Sequence, residues 1–215
     1  MVEAKKLSVQ LVDDHAVVRA GVRRLLENEP DIEVVVESDS VEDSLKQFRA
    51  YHPDVVVMDI ELPGGNGLIA TEQILAFNAD ARIIILSVHD GSGYAIRAMK
   101  AGVKGYLTKG CAPDELIGAL RSVACGEVYL EPKIAQNMAL RQFSGETDPL
   151  EVLTDREFDV FCMLAKGDSV KDIADVLCLS PKTVGACRTR IMKELGASNV
   201  ANLAHIAIRS GLIQQ

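Results

Sequence analysis

Five residues before residue 110 have types that suit phosphoryl or cation chemistry: Asp13, Asp14, Asp59, Ser87 and Lys109. Each stands where an apolar run stops. Leu7-Ser8-Val9-Gln10-Leu11-Val12 runs into the acidic pair, Val55-Val56-Val57-Met58 into Asp59, Arg82-Ile83-Ile84-Ile85-Leu86 into Ser87, and Gly105-Tyr106-Leu107-Thr108 into Lys109. Grouped carboxylates repel one another, and an oxygen-rich set of that kind suits Mg²⁺, which takes hard ligands and keeps several waters. A lysine supplies a point charge that pairs with phosphoryl oxygens, and a serine supplies a hydroxyl donor. The chemistry expected of the set is acceptance of a phosphoryl group, with the Asp59 carboxylate attacking in line while metal and lysine neutralise the oxygens. Taken singly, each residue also has an ordinary reading. Asp13 and Asp14 suit a helix cap, Ser87 a strand end, and Lys109 a solvated surface.

The set has meaning only if the runs are neighbouring strands. No polar residue alternates within Val55–Met58, so both its faces are expected to be covered, as in the middle of a parallel sheet. Its end would then lie at the carboxyl edge, where open α/β sheets place their ligands. Helical spacing follows each run. Residues 15–29 carry apolar side chains at 18, 22, 25 and 26 and stop at Pro30; Ser40 caps a helix through Ala50 with Leu45 and Phe48 inward; further helices are expected over 67–77, 92–100 and 113–125. With Ile32–Val36 as another strand, five strands alternate with five helices, which implies a doubly wound parallel sheet. Ile60 to Gly67, with one Pro and three Gly, reads as a loop.

The sequence has 215 residues, 48% hydrophobic and 25% charged, enough for two domains. Aromatics are 4% with no Trp, and the net charge is −8, which argues against a coat for single-stranded nucleic acid. Residues 1–150 hold 15 basic and 23 acidic side chains, residues 151–215 eight of each, so the excess negative charge lies wholly in the first part. Cysteines at 111, 125, 162, 178 and 187 fall singly, as reduced thiols do, not as a disulfide framework or zinc site. No run approaches the ~20 apolar residues of a membrane span, and the N-terminus leads straight into a strand. A cytoplasmic protein without a membrane partner is expected.

Residues 7–126 resemble the receiver domain of two-component response regulators. The resemblance is carried by Asp13-Asp14, Met58-Asp59, Pro63-Gly64, Ser87 and Gly105-Tyr106-Leu107-Thr108-Lys109. It implies a flavodoxin-like fold, with Asp59 as phosphoacceptor fed by a sensor histidine kinase. It implies Mg²⁺ on Asp14, Asp59 and the main-chain carbonyl of Glu61, with Asp13 just behind. Ser87 and Tyr106 resemble the switch pair that reports phosphorylation, although Tyr106 also suits plain core.

Beyond 127 the chain changes character. Pro132 opens a short helix over 133–141, and Phe143 to Pro149 reads as a flexible linker. Helices are then expected from Thr154 to Gly167, with a Thr154/Glu157 capping box, and over 170–177, 181–195 and 200–209. The last 65 residues resemble the LuxR-type helix-turn-helix of NarL/FixJ regulators. The matching pieces are Leu153-Thr154-Asp155-Arg156-Glu157, Ile173-Ala174, Leu179-Ser180-Pro181-Lys182-Thr183-Val184 and Gly211-Leu212-Ile213. Ser180-Pro181-Lys182-Thr183, Lys109-Gly110 and residues 129–136 lean towards the GacA/UvrY-like branch. A short helix, a tight turn and a capped second helix with four basic residues against Glu194 alone suit double-stranded DNA. Lys182, Thr183, Gly185 and Ala186 are expected at base edges, with Arg188, Thr189, Arg190 and Lys193 completing the contact set. The family carries Lys, a variable residue and His after the Thr-Val pair, where this chain has Gly185-Ala186-Cys187.

The sequence therefore reads as a receiver domain over 1–127, a linker with a short helix over 128–150, and a small all-α DNA-binding domain over 151–215. Phosphorylation at Asp59 would couple to homodimer formation and DNA binding. Such a chain is a phosphoacceptor with at most slow self-dephosphorylation, not an enzyme. Two rivals stay open: a Mg²⁺-dependent aspartyl-phosphate phosphohydrolase, for which Glu61 is placed as the acid but no substrate cap is present, and a receiver whose helical module binds protein.

Overall fold

A computed structural model of the chain describes residues 5–63, 65–89, 92–144, 149–210 and 212. Gly64 of the Pro63-Gly64 pair, residues 145–148 of the expected linker, and Gly211 and Ile213 lie outside the described residues. The chain divides into two compact units, residues 1–88 with 98–131 and residues 89–97 with 132–215.

In the first unit the order is β1 (Leu7–Val12), α1 (Ala16–Glu27), β2 (Ile32–Ser38), α2 (Val41–Tyr51), β3 (Val55–Met58), β4 (Glu61–Leu62), β5 (Gly65–Asn66), α3 (Gly67–Phe77), β6 (Ile83–Ser87), α4 (Ser92–Lys100, shared with the second unit), β7 (Gly105–Thr108), α5 (Pro113–Ala124) and β8 (Tyr129–Leu130). The strands order as β2-β1-β3-β6-β7-β8, all parallel. All four residues of β3 and all five of β6 are buried, as uninterrupted apolar runs demand when helices cover both faces. Val9, Leu11, Val55, Val57, Ile84, Leu86 and Leu107 meet Leu116, Leu120 and Val123 of α5 in one core.

Two features depart from the sequence reading. The main sheet has six strands, not five, because Tyr129–Leu130 pairs with β7 along an edge that would otherwise offer unpaired N–H and C=O groups. The Ile60–Gly67 loop contains a two-residue antiparallel pair, Glu61 with Asn66 and Leu62 with Gly65. Pieces two residues long carry too little periodicity to be read in sequence.

The second unit continues with α6 (Pro132–Ser144), a 3-10 turn (Pro149–Val152), α7 (Asp155–Lys166), α8 (Val170–Val176), α9 (Pro181–Glu194) and α10 (Val200–Arg209). Side-chain oxygens of Thr154, Ser169, Ser180 and Asn199 cap the last four helices, satisfying amide groups that a first turn leaves open. Leu150, Phe158, Phe161, Ile173, Val184, Ile191, Leu203 and Ala207 form its interior. Within this unit Arg97 donates to Asp155 and to the carbonyl oxygens of Leu150 and Leu153, and its guanidinium lies over the Phe158 ring. Among the described residues no helix is long and apolar enough to cross a membrane.

Candidate functional site

Strand register assembles the site. Val12 pairs with Met58, Met58 with Ile85 and Ser87 with Thr108, so Asp13, Asp59 and Lys109, each the next residue along its strand, meet at one rim. The Lys109 ammonium donates to Asp59 Oδ2 at 2.7 Å and lies 2.7 Å from Asp13 Oδ2. All three are largely withdrawn from water, with Asp59 only 2% exposed. Burial pushes the Asp59 carboxyl above the ordinary carboxylate range, against the opposing effects of Lys109 and of a hydrogen bond from the Glu61 backbone. Burial pulls Lys109 down, but its bonds to Asp13 and Asp59 outweigh that and leave it above the ordinary lysine value.

Asp59 Oδ1 is buried and has no hydrogen-bond partner among the described residues. A buried carboxylate oxygen in that state costs free energy unless something else meets it. Asp13, Asp14, His15 and Asp59 each offer a ligand atom within 4.8 Å of the others. This donor set fits a divalent cation. The oxygens are those Mg²⁺ prefers, and an ion would satisfy the orphaned atom.

Ser87 and Tyr106 are both fully buried. Ile85 pairs with Tyr106 and Ser87 with Thr108, so the two side chains lie on one face of the sheet, on adjacent strands and offset by two residues. The Ser87 carbonyl also accepts the Lys109 amide, tying the ends of β6 and β7 together. Glu61 lies in β4, and its backbone N–H donates to the Asp59 carboxylate.

Several positioning residues escape the sequence reading. His15 stands at the N-cap of α1 yet caps nothing, and its Nδ1 lies 2.7 Å from Asp14 Oδ1. Its amide donates to Asp13 Oδ1. Arg19 donates to the Asp13 carbonyl oxygen and is itself held by Glu37. Gly67 packs so tightly that a Cβ there would run into the Asp59 carbonyl oxygen. Glu131, just past β8, accepts the Thr108 amide, next to Lys109, and donates its own amide to Tyr106 O. Adjacency to the acidic pair was the one sequence signal for His15; the others depend on distances between segments.

In the second unit, α8, a turn with Cys178 in the left-handed region (φ 52°) and α9 make the two-helix element. Lys182, Thr183, Ala186, Thr189, Arg190 and Lys193 are exposed and recur at helical spacing, so they share one face of α9. Gly185 and Arg188 are half-buried. Part of the face is already engaged. Arg190 Nε lies 3.1 Å from Glu157 Oε1, the Thr189 hydroxyl donates to Gly185 O, and the Thr183 and Ser180 hydroxyls pair at 2.8 Å.

The chain belongs to the response regulators. Residues 9–121 match the response regulator receiver domain and residues 151–207 match the bacterial regulatory proteins of the luxR family. It is 45% identical over 208 residues to the response regulator UvrY of Escherichia coli, spanning 96% of this chain and 95% of that protein. To the response regulator GacA of Pseudomonas aeruginosa it is 39% identical over 209 residues, spanning 96% and 98%. Its fold is shared by RcsB of Salmonella enterica serovar Typhimurium bound to promoter DNA in the presence of the phosphomimetic BeF3⁻, with a TM-score of 0.76 at 24% identity over 94% of this chain and 98% of that one. The chain is thus a transcriptional response regulator with a receiver domain and a LuxR-type DNA-binding domain, on the UvrY/GacA-like branch that the sequence resemblance pointed to.

Proposed function

We propose that Asp59 accepts a phosphoryl group from the phosphohistidine of a sensor histidine kinase. The observation that carries this reading is a buried carboxylate with one oxygen held by Lys109 and the other without a hydrogen-bond partner among the described residues. In the transfer an Asp59 oxygen forms the new bond to phosphorus as the bond to the kinase imidazole breaks, with the electron pair leaving on that nitrogen. Lys109 shifts from the carboxylate to a phosphoryl oxygen, which opens the covered face of Asp59. Asp14 and Asp59, with the Glu61 carbonyl and with Asp13 behind them, would hold Mg²⁺, which would supply positive charge against the phosphoryl oxygens. The Ser87 hydroxyl follows the phosphoryl group, and Tyr106 on the same face of the sheet responds to it. Loss of the phosphoryl group is slow and is not turnover of a substrate.

The output is binding of paired DNA half-sites by a homodimer, through Lys182, Thr183, Gly185, Ala186, Arg188, Thr189, Arg190 and Lys193. Phosphorylation shifts the population towards the binding-competent form. Residues 1–131, with β8 as the edge strand, make the receiver, 132–150 the linker and 151–215 the DNA-binding domain of a cytoplasmic protein. The test is labelling from acetyl phosphate with Mg²⁺, followed by duplex binding with and without phosphorylation. The wild type takes up label and binds more tightly once labelled, and Asp59→Asn does neither. Undiminished labelling of D59N removes the site assignment.

A further inference from the structure

The edge strand β8 ends one rung short of the strand it pairs with. It has two residues, fewer than strands usually run. Its ladder to β7 takes the Tyr129 amide to Lys104 O at 2.9 Å and the Glu131 amide to Tyr106 O at 3.0 Å. Rungs of a parallel ladder are evenly spaced, so the carbonyl of residue 131 would accept the Thr108 amide next. The Glu131 carboxylate accepts it instead, at 2.7 Å, and the chain leaves the sheet at Pro132, the first residue of α6. A residue before proline is held extended, which suits the strand. A carboxylate on a backbone N–H also makes a stronger bond than the carbonyl it replaces.

What the bond joins gives it meaning. Thr108 precedes Lys109, whose ammonium holds Asp13 and Asp59 and whose amide is fixed to Ser87 O on the opposite side of β7. Glu131 is the last residue of the first unit, and Pro132 is the first that belongs with the helical module. The fixed φ of proline leaves little slack at that joint, so a shift of Glu131 is carried to the start of α6. We propose that Glu131 is a positioning residue: its carboxylate holds the Thr108 amide, and through it Lys109, and passes the movement of that lysine to the linker. This goes one step beyond the reading of Asp59 as phosphoacceptor and rests on it. When Lys109 leaves the carboxylates for a phosphoryl oxygen, the Thr108–Lys109 backbone follows, and Glu131 follows the Thr108 amide.

The test uses the full chain, labelled from acetyl phosphate with Mg²⁺, and three variants. Glu131→Ala removes the acceptor, whereas Glu131→Gln keeps an oxygen for the Thr108 amide. Tyr129→Phe loosens the same strand at the bond from the Tyr129 hydroxyl to Glu115 Oε1 and spares the Thr108 rung, so it reports what fraying of the edge does by itself. Hydrogen exchange at the Thr108 amide should quicken about tenfold in E131A and stay near the wild type in E131Q. On protein labelled to the same extent, the gain in duplex affinity should shrink about fivefold in E131A and stay within about twofold of the wild type in E131Q and Y129F. A full gain in E131A, an equal loss in E131Q or Y129F, or no gain in the wild type overturns the role of Glu131 while Asp59 stands. A wild type that takes up no label, or undiminished labelling of Asp59→Asn, overturns the phosphoacceptor reading and the proposal together.

Discussion

At the scale of single residues, the site is a balance between like charges and one lysine. Asp13 and Asp59 both lean on Lys109. Lys109→Ala leaves two buried carboxylates facing each other, and removal of one partner from a buried ion pair costs about 3 kcal/mol or more. Thermal melts of K109A should therefore show a clear loss of stability, part of which returns on adding Mg²⁺. A melt unmoved by Mg²⁺ argues against a cation there. A second carboxylate gives a pH prediction. Asp54 accepts from the Ser8 hydroxyl at 2.6 Å, the Ser8 amide at 2.9 Å and Lys5 at 3.0 Å. Burial raises its carboxyl, but those bonds outweigh it and hold the group below the usual carboxylate range. A depressed folded value means that the unfolded chain takes up the proton first as pH falls. The stabilisation is thus complete above the ordinary value of about 3.9 and fades as pH drops through the folded one. Asp54→Ala should cost about 2 kcal/mol in urea melts at neutral pH. The gap between D54A and the wild type should close in acid.

At the scale of elements, the joint between β3 and α3 decides whether Asp59 is presented correctly. Gly67 donates to Ile60 O at 2.7 Å and has no room for a methyl against the Asp59 carbonyl. Gly67→Ala must push the two elements apart, at a cost of about 1–3 kcal/mol for overpacking. It should also slow uptake of label from acetyl phosphate although no charged group has changed. Normal labelling would show that the joint tolerates displacement. This joint marks the limit of what sequence conveys. Asp59 and Lys109 were legible because an uninterrupted apolar run that stops at a charged residue reports both strand and edge. The capped helices of the second unit were legible because Ser, Thr and Asn at N-caps act locally. Gly67, Arg19 and Glu131 were not, since each matters through a partner in another segment. Sequence alone also could not show that Arg190 and Thr189 are partly engaged within their own unit.

At the scale of the whole molecule, charge is divided unevenly. The excess of acid lies in residues 1–150, while α9 carries Lys182, Arg188, Arg190 and Lys193. DNA binding by such a chain depends on a few cations and should be steeply sensitive to salt. Lys182→Ala should weaken binding to all duplexes alike and lower the slope of log affinity against log salt by about 1, measured by titration at several salt concentrations. A loss confined to one sequence would make Lys182 a reader of bases. The sixth strand has a consequence of its own. Tyr129–Leu130 and Glu131 are stitched to β7 through backbone bonds to Lys104 O and Tyr106 O and through the Thr108 amide. A receiver cut at residue 127 would carry every residue of the proposed phosphoryl site and still be a damaged protein. Its bared flank would recruit neighbouring copies, and the stickiness that followed would be an artefact of the scissors, whereas a cut after Glu131 spares it.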